Sequence, residues 1–139
     1  MSPRILVVDD EPCIRTFVQR VLETAGWTVS CAGCAREALT KASEVAFDMM
    51  ISDIVMPGGD GIQLARSLTA LQPNMAVILM TGFDKGLSEF EPRWKVISKP
   101  FRLAELTAMV AAHLKSQFGK MRDDWRPESS SNGPTLMSK

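Results

Sequence analysis

The sequence predicts an α/β fold, a parallel β-sheet covered by helices on both faces. Three observations point to it. Short apolar runs alternate with segments whose apolar residues recur at helical spacing. Several runs, above all Ile5-Leu6-Val7-Val8 and Ala76-Val77-Ile78-Leu79-Met80, are apolar throughout rather than at every second position, as in strands buried on both faces. Polar groups capable of chemistry stand at the carboxyl ends of four of these runs: Asp9 and Asp10, Asp53, Thr81 and Lys99. Ligands bind at that edge in open α/β sheets.

Each element follows from local chemistry. Arg4 to Val8 reads as a buried strand. Pro12 suits the first turn of a helix, where its missing N–H costs nothing. Ile14, Phe17, Val18, Val21, Leu22 and Ala25 repeat at helical spacing, and Gly26 supplies a C-terminal stop. Thr28 to Ala32 is a less apolar strand suited to a sheet edge, and Ala35, Ala38, Leu39 and Ala42 mark a short second helix. Met49 to Ser52 is the third strand. The loop from Asp53 to Gly59 contains Pro57-Gly58-Gly59 and is expected to be irregular. Asp60 can cap a third helix carrying Ile62, Ala65, Leu68 and Leu71 on one face. Ala76 to Met80 is the fourth strand. Gly86 and Pro92 leave room only for a short helix around Leu87 to Phe90. Lys95 to Ser98 is the fifth strand, and Leu103, Leu106, Val110 and Leu114 give the last helix an apolar face. From about residue 116 the composition turns polar and rich in Ser, Gly and Pro. Residues 1–117 are therefore expected to fold and residues 118–139 to form a disordered tail.

Composition removes several function classes. The 139 residues suit one domain, and 45% hydrophobic content can fill its core. The 16 basic and 16 acidic residues cancel, which disfavours nucleic acid as a partner. No stretch approaches the roughly 20 apolar residues of a membrane span. The N-terminus lacks the longer apolar region of a secretory signal, so a cytoplasmic location is expected. Cys13, Cys31 and Cys34 are an odd set, which argues against a disulfide framework. The spacing of Cys31 and Cys34 fits small residues packing at a strand end better than a redox or zinc site, since His113 is the only histidine.

The strand-end residues specify a chemistry. Asp9, Asp10 and Asp53 converge if the first and third strands are neighbours. Two bare carboxylates roughly 4 Å apart repel by about 4 kcal/mol at an effective dielectric near 20. Such a cluster must hold a proton or a cation. Hard oxygen donors with open positions suit Mg²⁺, which favours phosphate oxygens as its remaining ligands. Thr81 adds a hydroxyl and Lys99 a fixed positive charge, so metal, hydroxyl and ammonium can together neutralise a transferring phosphoryl group. A carboxylate can be the nucleophile. The residues alone do not choose which one, although Asp53 is favoured by its position after the central strand.

The segments Ile5-Leu6-Val7-Val8-Asp9-Asp10-Glu11, Asp53-Ile54-Val55-Met56-Pro57-Gly58-Gly59-Asp60-Gly61, Thr81-Gly82 and Lys99-Pro100-Phe101, in this order and spacing, resemble the receiver domain of two-component response regulators. The resemblance covers about residues 4–115. It implies a flavodoxin-like three-layer sandwich with strand order 2-1-3-4-5 and five helices, the fourth shortened. It implies Asp53 as phosphoacceptor and Mg²⁺ held by Asp10, Asp53 and the backbone carbonyl of Val55, with Asp9 acting mainly through metal-bound water. Lys99 would pair with the phosphoryl group, Thr81 would bind one of its oxygens, and the Lys99–Pro100 bond would be cis. The donor would be a histidine kinase or phosphotransfer protein. The product would be a signal read by another protein, from a monomer or a phosphorylation-dependent dimer, and not the turnover of an enzyme.

The chain departs from the family pattern on the output side. Val96 occupies the switch position that is usually aromatic, and Trp94 lies two residues earlier. The interval from Thr81 to Lys99 is about one helical turn shorter than usual. The input chemistry is thus expected to be intact and the readout altered, with docking through the first helix or a remodelled output face. Val55 and Phe83 stand where the family tunes dephosphorylation, and neither can activate water, so slow self-hydrolysis is expected. Other readings are a receiver detached from a hybrid histidine kinase, a phosphate-independent interaction module, and an Asp-nucleophile phosphatase. The last would need a second Asp where Val55 stands.

Overall fold

A computed structural model describes residues 3–56, 59–82 and 94–124, with the backbone alone beyond residue 114. The chain order is β1 (Arg4–Val8), α1 (Pro12–Thr24), β2 (Thr28–Ala32), α2 (Ala35–Glu44), β3 (Met49–Asp53), β4 (Val55–Met56), β5 (Gly59–Asp60), α3 (Gly61–Leu71), β6 (Ala76–Thr81), β7 (Lys95–Ser98) and α4 (Leu103–Asp124). The main sheet is parallel with order β2-β1-β3-β6-β7. With the β4–β5 hairpin set apart, this is the expected 2-1-3-4-5 order.

Side-chain alternation along the strands divides the core into two layers. Leu6, Val8, Met50, Val77 and Leu79 face Ala38 and Ala42 of α2 and Leu64 and Leu68 of α3. Ile5, Val7, Ile51, Ile78 and Met80 face Val18 and Leu22 of α1 and Leu106, Val110 and Leu114 of α4. Burying each large side chain contributes about 1.5–3 kcal/mol. Helices on both faces explain why β1, β3 and β6 are apolar on both sides, and β2, with its partly exposed residues, lies at the edge.

The helix ends follow the sequence signals. Pro12 opens α1. Gly26, at φ 103°, ends it: its N–H bonds the carbonyl of Glu23 (2.9 Å) and the N–H of Trp27 bonds that of Leu22 (3.2 Å). This pairing satisfies carbonyls the helix leaves open and needs a left-handed residue, which favours glycine. Asp60 caps α3 by accepting from the Gln63 N–H at 2.7 Å.

One expectation changes. The loop after Asp53 is partly regular: Val55 and Met56 pair antiparallel with Asp60 and Gly59. The last helix runs on to Asp124, with good helix formers outweighing the single Gly119. The short helix expected around Leu87 to Phe90 lies outside the described residues, and four helices are seen among the described ones.

Candidate functional site

Strand register brings the polar residues together. Val8 pairs with Ser52, and Asp53 with Met80. Thr81 pairs with Ser98. The next residue on β1 is therefore Asp9, beside Asp53, and the next after β7 is Lys99. Alternation gives Asp9, Asp53 and Lys99 the same parity as Val7, Ile51 and Ile97, which face the α1 and α4 layer.

The three carboxylates meet: Asp9, Asp10 and Asp53 each offer an oxygen, and all lie within 4.8 Å of one another. Asp9 is fully buried, Asp53 is 9% exposed and Asp10 is half-buried. Lys99 Nζ lies 3.1 Å from Asp53 Oδ2 and 3.5 Å from Asp9 Oδ2. The Lys99–Pro100 bond that follows is cis. Thr81 is buried, and its carbonyl accepts the Lys99 backbone N–H at 2.7 Å, tying the two strand ends together. Val55 is largely exposed on the hairpin at the same edge, and Phe83 lies outside the described residues.

Electrostatics shows what this cluster lacks. Burial pushes the Asp9 carboxyl above its ordinary range. The Glu11 N–H, at 2.9 Å from Oδ1, and Lys99 oppose the shift, while Asp53 and Asp10 reinforce it. Asp9 Oδ2 is buried and, among the described residues, faces the Lys99 ammonium at 3.5 Å without forming a hydrogen bond. For Lys99, burial pulls the ammonium down, but the Asp53 hydrogen bond and the Asp9 and Asp53 charges outweigh it, so its proton is held more tightly than usual. One lysine cannot neutralise three carboxylates. The orphaned buried oxygen and the all-oxygen donor set fit a hard divalent cation.

The structure also brings in residues that spacing does not reveal. Arg15 Nη1 donates to the Asp9 carbonyl at 2.8 Å and anchors the β1–α1 turn. Ser52 is fully buried, and its hydroxyl donates to the Asp53 carbonyl at 2.9 Å. A serine in an otherwise apolar strand was a signal available in the sequence; Arg15 gave none. On the output side, Trp94 is buried among Leu79 and its neighbours, and Val96 packs partly buried against the same layer. The segment between Thr81 and Trp94 lies mostly outside the described residues.

Comparisons with known proteins agree with this geometry. The family model of the response regulator receiver domain matches residues 5–111. The response regulator receiver protein CpdR of Brucella abortus (strain 2308) is 36% identical over 107 residues, covering 74% of this chain and 89% of CpdR. Other curated relatives are longer, and the chain spans 18% to 56% of two of them. A CheY-like receiver domain protein from Methanospirillum hungatei JF-1 superposes with TM-score 0.81 at 27% identity, over 86% of this chain and 99% of that one. The response regulator TrrA of Thermotoga maritima, solved in complex with Mg²⁺-BeF, gives 0.72 at 32% identity over 80% and 98%. Among the described residues no helix is long and apolar enough to cross a membrane. Fold, acidic cluster and family match converge, and the chain belongs to the response regulator receiver domain family, the signalling switches of two-component systems.

Proposed function

We propose that Asp53 accepts a phosphoryl group from a phosphohistidine donor, a histidine kinase or a phosphotransfer protein, with Mg²⁺ as the cation of the acidic cluster. One observation carries the reading: three carboxylates share a space within 4.8 Å, and the lysine beside them reaches two of them. When bound, Mg²⁺ supplies positive charge to the phosphoryl oxygens. Asp10, Asp53 and the Val55 carbonyl would hold it, and Asp9, in the same acidic cluster, would support that site. An Asp53 carboxylate oxygen attacks phosphorus, the bond to the donor's imidazole nitrogen breaks, and that nitrogen leaves with the electron pair. Lys99, held charged by its carboxylate neighbours, then pairs with the phosphoryl group instead of with bare Asp53. Thr81 donates its hydroxyl to one phosphoryl oxygen. The exposed hydrocarbon of Val55 at the hairpin offers nothing to orient an attacking water, so the acyl phosphate is long-lived.

The test is incubation with acetyl phosphate and Mg²⁺ followed by intact mass. One added phosphoryl group is expected, absent without Mg²⁺ and absent in Asp53→Asn, with slow decay once the donor is removed. Equal labelling of Asp53→Asn would sink the assignment of the acceptor.

A further inference from the structure

The backbone carbonyl of Asp53 is gripped from two sides. From the sheet, the Ser52 hydroxyl donates to it at 2.9 Å. Ser52 is fully buried, paired across the sheet with Val8 and Leu79, both apolar members of the α2–α3 layer. A hydroxyl in that setting loses its water and needs a partner, and the Asp53 carbonyl is the one it has. From α3, Gly61 lies against the same oxygen. A Cβ built on Gly61 would collide with the Asp53 carbonyl oxygen and come within 3.1 Å of Asp53 C and Ile54 Cα. The Gly61 N–H meanwhile donates to the Ile54 carbonyl at 2.8 Å, and the Ile54 N–H donates to the Met80 carbonyl at 3.0 Å. The peptide joining Asp53 to Ile54 is therefore held at its carbonyl by Ser52 and at its N–H by β6, and the next peptide is held at its carbonyl by the first residue of α3.

Gly61 has no positive φ to explain it. It is required by close approach, and what it approaches is the acceptor's own backbone. We propose that Ser52 and Gly61 are positioning residues for the Asp53 site: together they set the Asp53–Ile54 peptide and so aim both the Asp53 carboxylate and the Val55 carbonyl two residues on. Neither is among the residues proposed to hold the metal or the phosphoryl group. The inference rests on the proposed acceptor role of Asp53 and adds the device that aims it.

The experiment compares Ser52→Ala, Gly61→Ala and the control Leu68→Val, with wild type alongside. Leu68 is a fully buried α3 residue of the same layer and lies away from the acceptor peptide in sequence. Three quantities are read for each: Mg²⁺ affinity by titration calorimetry, the rate of labelling by acetyl phosphate, and the Tm of the metal-free protein. Ser52→Ala is expected to weaken Mg²⁺ binding about fivefold, the size of one lost hydrogen bond. Gly61→Ala is expected to slow labelling by roughly tenfold or more, since small misplacements of reacting groups are costly. Leu68→Val should lower Tm while Mg²⁺ affinity and labelling stay at wild-type values. Wild-type affinity and rate in both positioning variants overturns the inference and leaves the acceptor assignment standing. So does a loss that merely tracks Tm, as any destabilised α3 would show. A wild-type protein that neither binds Mg²⁺ nor takes label overturns the acceptor assignment and this inference with it.

Discussion

Asp9 is the residue at which folding and function are most directly opposed. It is fully buried, and burial raises its carboxyl pKa above the ordinary 3.8. A group whose pKa is raised on folding contributes stability below its unfolded pKa and loses it as pH rises through the folded value. At neutral pH the metal-free protein therefore carries an unfavourable buried charge. Asp9→Asn keeps the acceptor oxygen for the Glu11 N–H and removes that charge. Calorimetry in chelator at pH 7 should show a raised Tm. The gain in Tm on adding Mg²⁺ should shrink in the same variant. His113 behaves with the opposite sign. Burial first, and then Lys95, lower its pKa from the ordinary 6.5, and its Nδ1 is buried with no hydrogen-bond partner among the described residues. The unfolded chain takes the proton more readily, so stability is present above 6.5 and is lost as pH falls through the lowered value. Urea melts between pH 7 and 5 should show this loss, and His113→Gln should flatten it.

Among the elements, the connection between α2 and β3 is held by one residue of α3's C-terminus. Gln72 Nε2 donates to the carbonyls of Ala42 and Val45 at 2.8 and 3.0 Å, and its Oε1 accepts the Phe47 N–H at 2.7 Å. Gln72→Ala would leave the Phe47 donor and two carbonyls without this partner. A loss of about 1–3 kcal/mol by urea unfolding is expected, with labelling of Asp53 unchanged, because the clasp sits at the opposite end of the strands from the acidic cluster. Nothing in the sequence marks Gln72, since its partners lie some 25 to 30 positions away and no spacing rule reaches that far. The strands were legible because their apolar runs carry the pattern locally. The caps at Gly26 and Asp60 were legible for the same reason. The β4–β5 pairing was not, because Pro57-Gly58-Gly59 signals a turn without saying that the residues flanking it hydrogen-bond.

For the whole molecule, the layers could be read from apolar runs, but the order of the strands needed the family resemblance. The apolar runs within β1, β3 and β6 say only that each is covered on both faces. The site was legible to a greater degree than the topology, because every member stands at a strand end and a parallel sheet collects strand ends on one edge. What the sequence withheld were the contacts made by backbone: the Gly61 approach to Asp53 and the Arg15 bond to the Asp9 carbonyl. The same distribution bears on the C-terminal part of the chain. The last core residue along the chain among the described ones is Leu114, and every site residue precedes it. The α4 backbone continues as helix to Asp124. A chain ending at Asp124 keeps each of these residues and the whole of that helix, and its Tm should stay within about 2 °C of wild type. Ending at residue 117 removes helical backbone and no described core residue, and a further loss below about 1 kcal/mol is expected where terminal turns contribute only helix propensity. A large fall in Tm at 117 alone would show that the folded domain extends beyond that boundary and that the final turns of α4 carry part of its packing.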